Sequence, residues 1–193
     1  MSAVIGGENR GQGQLSGYGS KTYRNYVLLA LTLIYILNFV DRALLAVVGP
    51  DLVPDLKITD TQFGLLTGFG FALLYTAVGI PLARFADVGH RVWIMTICVA
   101  LWSLMTAACG LATEVTIGSI TIGAFWILLI CRVGVGIGEA GCTPPANSLI
   151  ADYFIPRERS QALGFYAMGV TLGTMFANLI GGWVTDVFDW RTA

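Results

Sequence analysis

Residues 92–112, "VWIMTICVALWSLMTAACGLA", carry no charged side chain. A helix of that length rises about 30 Å, which is the thickness of a bilayer's hydrocarbon core. Three or four further runs of similar length and character follow one another along the 193 residues. Composition agrees: 55% of residues are hydrophobic and 12% charged, with a mean hydropathy of +0.72. A water-soluble domain usually carries about 25% charged residues, so the chain is an integral membrane protein. A net charge of -1 and the lack of any basic block leave no basis for nucleic-acid binding.

Residues 1–22 contain no apolar run and none of the features of a secretory signal, so they are expected to form a disordered cytoplasmic tail. Residues 23–193 then form the membrane domain. Cys98, Cys109, Cys131 and Cys142 fall in or beside apolar runs and make no C-x-x-C pair, which argues for packing rather than disulfides or zinc. No cofactor or metal is expected.

Five membrane helices are predicted. The first covers residues 24–48. The second covers 61–85, after a loop marked by the prolines and acids of "GPDLVPDLKITD", with Asp60 as N-cap. The third is the uncharged run. The fourth starts near Thr121 and continues, kinked, past Pro144 and Pro145 to about Phe154. The fifth covers 158–186, and a sixth would begin at "DWRTA". Lys21, Arg24, Arg84, His90, Arg91, Arg157 and Arg159 gather in alternate loops, whereas the other loops are acidic. The positive-inside rule then places the N-terminus in the cytoplasm.

Four ionisable residues lie inside these spans: Asp41, Arg42, Arg132 and Glu139. Each costs roughly 2.5–3.5 kcal/mol at the bilayer centre on insertion scales, and such residues face a bundle interior and mark a substrate or proton path. Asn38, one turn before Asp41 and Arg42, extends the polar stripe. Arg132 and Glu139 are two turns apart on one face. Counting at 1.5 Å per residue from Val48 and Thr121 puts Asp41 ~10 Å, Arg132 ~16 Å and Glu139 ~27 Å below the outer boundary. These depths allow an Asp41–Arg132 contact, with Arg42 as the competing partner of Asp41. The plain structural alternative is that the charges only lock helix one to helix four.

Glycines spaced by four (Gly64/Gly68, Gly134/Gly138, Gly169/Gly173) suit close helix approach. "GIGEAG" at 136–141 has the form G-x-G-x-x-G, but it follows a membrane-length run containing Arg132 rather than a short strand, so a dinucleotide fold is rejected. One histidine, His90, and no Ser/His/Asp set leave no chemistry for an enzyme.

The loop "ARFADVGHR" resembles the cytoplasmic signature of the major facilitator superfamily through Ala83, Asp87 and Arg91. It departs from that signature at Ala83, Val88, His90 and Val92. "NFVDR", "ITDTQFGLLTGFGFALLYTAVGIPLARFAD" and "RVGVGIGEAGCTPPANSLIADYFIPRERSQALG" are similar to the spinster-like group within it. The resemblance implies an all-α integral membrane fold, the N-terminal six-helix bundle of a major facilitator, with five transmembrane helices and the start of a sixth. It implies alternating access and proton-coupled movement of an amphipathic lipid such as a lysophospholipid or a sphingoid phosphate. It also implies coupling roles for Asp41 and Glu139 and a cytoplasmic gate at Asp87 and Arg91. Arg42, Arg132 and Asn38 are then charge partners or ligands for an anionic headgroup. An anion-transporting branch shares the Glu-Ala pair of helix four, and helix five has Thr174 where an antiporter-type proline would stand. "VTDVFDWR" echoes "FADVGHR" on the opposite side, as inverted repeats would.

The expected partners are protons, membrane lipids and a small amphipathic or anionic substrate, at the cytoplasmic (plasma) membrane. Five crossings cannot enclose a two-sided pathway, so a missing C-terminal half or a partner chain is expected. The rival from another class is a non-transporting assembly module whose buried charges are structural.

Overall fold

The computed structural model describes residues 19–117 and 120–192. The elements run α1 (Lys21–Asp55), α2 (Asp60–Thr67), α3 (Phe69–Val88), α4 (Arg91–Gly110), β1 (Val115–Ile117), β2 (Ile120–Ile122), α5 (Ala124–Ala140), α6 (Thr143–Tyr153), α7 (Pro156–Phe176), a π-helical turn (Ala177–Gly181) and α8 (Gly182–Val187). Five segments are long and apolar enough to cross a membrane: Lys21–Asp55, Asp60–Leu82, Arg91–Gly110, Ala124–Tyr153 and Pro156–Val187. Most of the predicted tail, residues 1–18, lies outside the described residues.

Several boundaries move. α1 continues seven residues past Val48, carrying Pro50 and Pro54 inside it, so the predicted loop shrinks to residues 56–59. Membrane helices tolerate proline because neighbours and local adjustments satisfy the freed carbonyls. Thr59, not Asp60, caps α2. Its hydroxyl accepts from the Gln62 N–H, and the Gln62 side chain accepts from the Thr59 N–H, a full capping box. The second crossing breaks at Gly68 and the fourth at Gly141–Cys142, just before Pro144 and Pro145 in the first turn of α6. Thr121 is not helical: it pairs with Thr116 in an antiparallel two-stranded ribbon. Residues 189–192, where a sixth helix was expected to begin, form a turn in which the Thr192 N–H donates to the Asp189 carbonyl.

α1 packs chiefly on α7 and the π turn, while α5 packs on α4 and α3. Two glycine contacts set these distances. A Cβ on Gly173 would come within 2.5 Å of the Ile36 carbonyl oxygen and 2.6 Å of Phe39 Cβ. One on Gly138 would come within 2.6 Å of the Cys98 carbonyl oxygen and 2.7 Å of Trp102 Cβ. Only glycine allows backbones so close. Gly64, by contrast, faces open space.

Two apolar clusters fill the bundle. Leu31, Met95, Ala146, Ile150, Phe154, Ala162 and Tyr166 fill one end. Leu45, Val48, Leu52, Leu66, Ala112, Leu128 and Trp190 fill the other. The outward faces carry exposed apolar side chains such as Leu29, Leu33, Leu37, Ile97 and Ile130, and Trp93 and Trp126 sit near helix ends as interfacial aromatics do. The four free cysteines are buried or half-buried.

Candidate functional site: a charged layer between two apolar clusters

In sequence, Asn38, Asp41 and Arg42 fall between Leu31 and Leu45 of the two clusters, and Arg132 and Glu139 fall between Leu128 and Ala146. The charges thus form a layer across the middle of the bundle. Asp41 and Arg42 are neighbours on α1, so they point about 100° apart and reach different partners.

Asp41 is enclosed on both oxygens. Its Oδ2 accepts from Arg132 at 3.0 Å, and its Oδ1 accepts from the Thr106 hydroxyl of α4 at 3.0 Å. The Asp41–Arg132 contact that the depths allow is present. Arg42 does not compete for it: its Nε donates to Glu139 Oε2 at 2.6 Å.

The depth count for Glu139 therefore needs correction. α1 ends at Asp55 and α5 starts at Ala124, which places Arg42 ~20 Å and Glu139 ~22 Å from those ends, on one level. Glu139 has no solvent exposure, and its Oε1 has no hydrogen-bond partner among the described residues.

Aromatic rings enclose the bases. The Arg42 guanidinium lies 4.4 Å from the Tyr75 ring centroid, 5.4 Å from Phe39 and 5.7 Å from Phe71. The Arg132 guanidinium lies 5.2 Å from Phe71. Such faces stabilise a desolvated cation without neutralising it. The Arg42 side chain keeps 28% of its surface exposed, whereas Arg132 keeps 7%. Asn38 is buried, and its Nδ2 has no partner among the described residues.

The gate residues divide. Arg91 pairs with Asp152 of α6, an acid the sequence did not single out; the Asp87 side chain lies outside the described set. Beside this pair, Arg24 donates to Glu158 at 3.1 Å and lies 5.5 Å from the Phe154 ring, and Arg159 donates to the Ala151 carbonyl at 2.7 Å. The basic loops thus cluster at one end, the arrangement the positive-inside rule requires. Thr106, Phe71 and Tyr75 carried no sequence signal, because a threonine or an aromatic ring in an apolar run looks like packing.

Residues 31–193 match the model of the Major Facilitator Superfamily. An MFS-type efflux pump of Mycolicibacterium smegmatis is 36% identical over 84% of this chain and 36% of its own length. Protein spinster homolog 1 of Xenopus tropicalis is 31% identical over 89% of this chain and 32% of its own. A crystal structure described as a bacterial homolog to the human lysosomal transporter Spinster, inward-facing and occupied, superimposes with a TM-score of 0.79 at 53% identity. It covers 88% of this chain and 34% of that one. The chain spans about a third of the length of these proteins. With the family model matched over residues 31–193, the chain belongs to the Major Facilitator Superfamily, and over about a third of their length it is similar to spinster-like members of it.

Proposed function

We propose that the complete gene product is a secondary active transporter that works by alternating access and couples proton movement to an amphipathic lipid with an anionic headgroup, of the lysophospholipid or sphingoid-phosphate type. The observation that carries this reading is the Arg42–Glu139 pair. It joins a base that is still partly exposed to a carboxylate that is wholly buried. A phosphate and Glu139 compete for one guanidinium. When a proton neutralises Glu139, Arg42 is released to grip a headgroup with two hydrogen bonds. When the lipid leaves, the pair closes again. Asn38, one turn away on α1, supplies a further donor through its Nδ2, which has no partner among the described residues.

Asp41 and Arg132 are the second coupling pair, and they hold α1 to α5 while the first exchanges. Asp87 and Arg91 are the gate on the basic end, with Arg91 latched to Asp152. That end faces the cytoplasm, and the membrane is the plasma membrane.

The test is flux in liposomes under an imposed pH gradient, with a labelled lysophospholipid and, in parallel, a labelled sugar acid. Gradient-driven lysolipid accumulation, with the sugar acid excluded, is expected. Sugar-acid flux without lysolipid flux would make this an organic-anion transporter. No flux of either by folded protein would make it a non-transporting module.

A further inference from the structure

The end opposite the basic cluster carries an arrangement of its own. Asp55, the last residue of α1, accepts on Oδ2 from both Trp190 Nε1 at 3.0 Å and Arg191 at 2.5 Å. The Arg191 guanidinium lies 4.2 Å from the Trp190 ring, which is itself only 7% exposed and seated among Leu45, Val48, Leu52 and Leu128. The Arg191 carbonyl comes so close to Gly110 that a Cβ there would lie 3.0 Å away. The turn at 189–192 is thus pinned to α1 by a shared carboxylate and to α4 by a backbone approach.

Behind this turn lies a cavity of about 260 Å³. Its lining includes Trp190, Arg191 and Thr192 of the turn, Cys109 of α4, and the charged-layer residues Asp41 and Arg132 with Thr106. Polar groups of the turn and of the charged layer on one cavity, with room for several waters, are what a hydrated cavity requires. Asp41 is ~21 Å along α1 from Asp55. Glu139 does not line this cavity: its neighbour Gly138 packs against Cys98 and Trp102, farther along α4 than Thr106.

We propose that Asp55, Trp190 and Arg191 form a clasp that closes an aqueous vestibule leading to the Asp41–Arg132 pair, and that its release admits water and protons to Asp41 from that face. The "VTDVFDWR" echo then has a physical meaning. Arg191 latches to the end of α1 as Arg91 latches to the end of α6, one latch at each end of the bundle. The assignment rests on the transporter reading above, but it is tested without transport.

Cys109, on the vestibule wall, is the native reporter. The complete gene product in detergent is treated with a small water-soluble methanethiosulfonate, and modification of each cysteine is followed by peptide mass spectrometry. Asp55→Asn and Trp190→Ala are each expected to speed Cys109 modification on the order of tenfold, since the lost contacts include a hydrogen bond to a charged group that holds the closed population. Trp93→Phe, on an exposed apolar face near the other end, leaves the rate unchanged. Arg191→Lys, which keeps the charge on Asp55 but loses the planar stack on Trp190, is expected to speed modification less than Asp55→Asn. An unchanged Cys109 rate in both Asp55→Asn and Trp190→Ala overturns the clasp. So does equal acceleration at Cys98 and Cys142, which lie away from the cavity beside Gly138 and Gly141, because that reports general loosening rather than a local opening. Loss of lysolipid flux in wild type would sink the transporter reading and leave these rates untouched.

Discussion

α1 meets two neighbours in two different ways. Against α7 it is pressed backbone to backbone: Gly173 accepts the Ile36 carbonyl and Phe39 at distances no other residue allows, and Tyr35 stacks on Tyr166 at 4.3 Å. Against α5 it is held by charged side chains, Asp41 to Arg132 and Arg42 to Glu139, while α5 packs its own glycines on α4. The first contact has no variable part. The second contains two carboxylates whose charge a proton can remove and a base an anion can take. Any change of charge in the bundle's middle therefore acts on the α1–α5 seam and leaves the α1–α7 contact as it is.

The seam itself is uneven. Asp41 has a donor on each oxygen, whereas Glu139 has a donor on one and none on the other among the described residues. Removing Arg132 tests the saturated pair most harshly, because it strands a buried carboxylate. Arg132→Met is expected to destabilise the complete gene product by about 3–5 kcal/mol, read as a lower melting temperature in detergent. Combining it with Asp41→Asn should recover most of the loss, and a double variant no better than the single would show that the pair is not a unit.

The glycine interface comes next. Gly173→Ala should cost about 1–3 kcal/mol through overpacking against Ile36 and Phe39, with the charged seam intact. If it melts like wild type, the close approach is not real. Thr106→Val makes Asp41 as under-supplied as Glu139. Interhelical hydrogen bonds in membranes are worth about 0.6 kcal/mol and at most about 1.7, so a small loss in that range is expected. Arg91→Gln is the mildest: its partner Asp152 is 60% exposed, and surface pairs contribute about 0–1 kcal/mol. A larger loss there would make the basic-end latch a fold element rather than a gate.

Much of this was legible in the sequence, and the failures have physical causes. The five crossings follow from apolar length alone, and the Asp41–Arg132 contact was among those the depth count allowed. Arg42 was placed too near the outer boundary because Pro50 and Pro54 read as a loop, although a membrane helix absorbs both, and Glu139 was placed too deep because the fourth helix was counted from Thr121 rather than Ala124. Together these two errors hid the Arg42–Glu139 pair. The strands at Val115–Ile117 and Ile120–Ile122 were missed although "VTI" and "ITI" are β-branched runs flanking Gly118, a hairpin pattern; the adjoining apolar run absorbed their second strand. Asp60 lost the N-cap to Thr59 because the Thr-x-x-Gln box satisfies two orphan N–H groups where a lone aspartate satisfies one. Thr106 had no signal at all: its role depends on which way α4 is turned, and an uncharged helix does not announce its polar face.

In the proposed cycle Glu139 takes the proton that frees Arg42, while Asp41 and Arg132, the second coupling pair, hold α1 to α5. The direct measurement is a comparison, in liposomes, of lysolipid exchange without a pH gradient and lysolipid accumulation with one, for wild type and Glu139→Gln. Because glutamine mimics the neutral state that frees Arg42, Glu139→Gln is expected to keep exchange and lose gradient-driven accumulation. Accumulation at the wild-type level in Glu139→Gln would contradict the account and return the buried pair to a structural role.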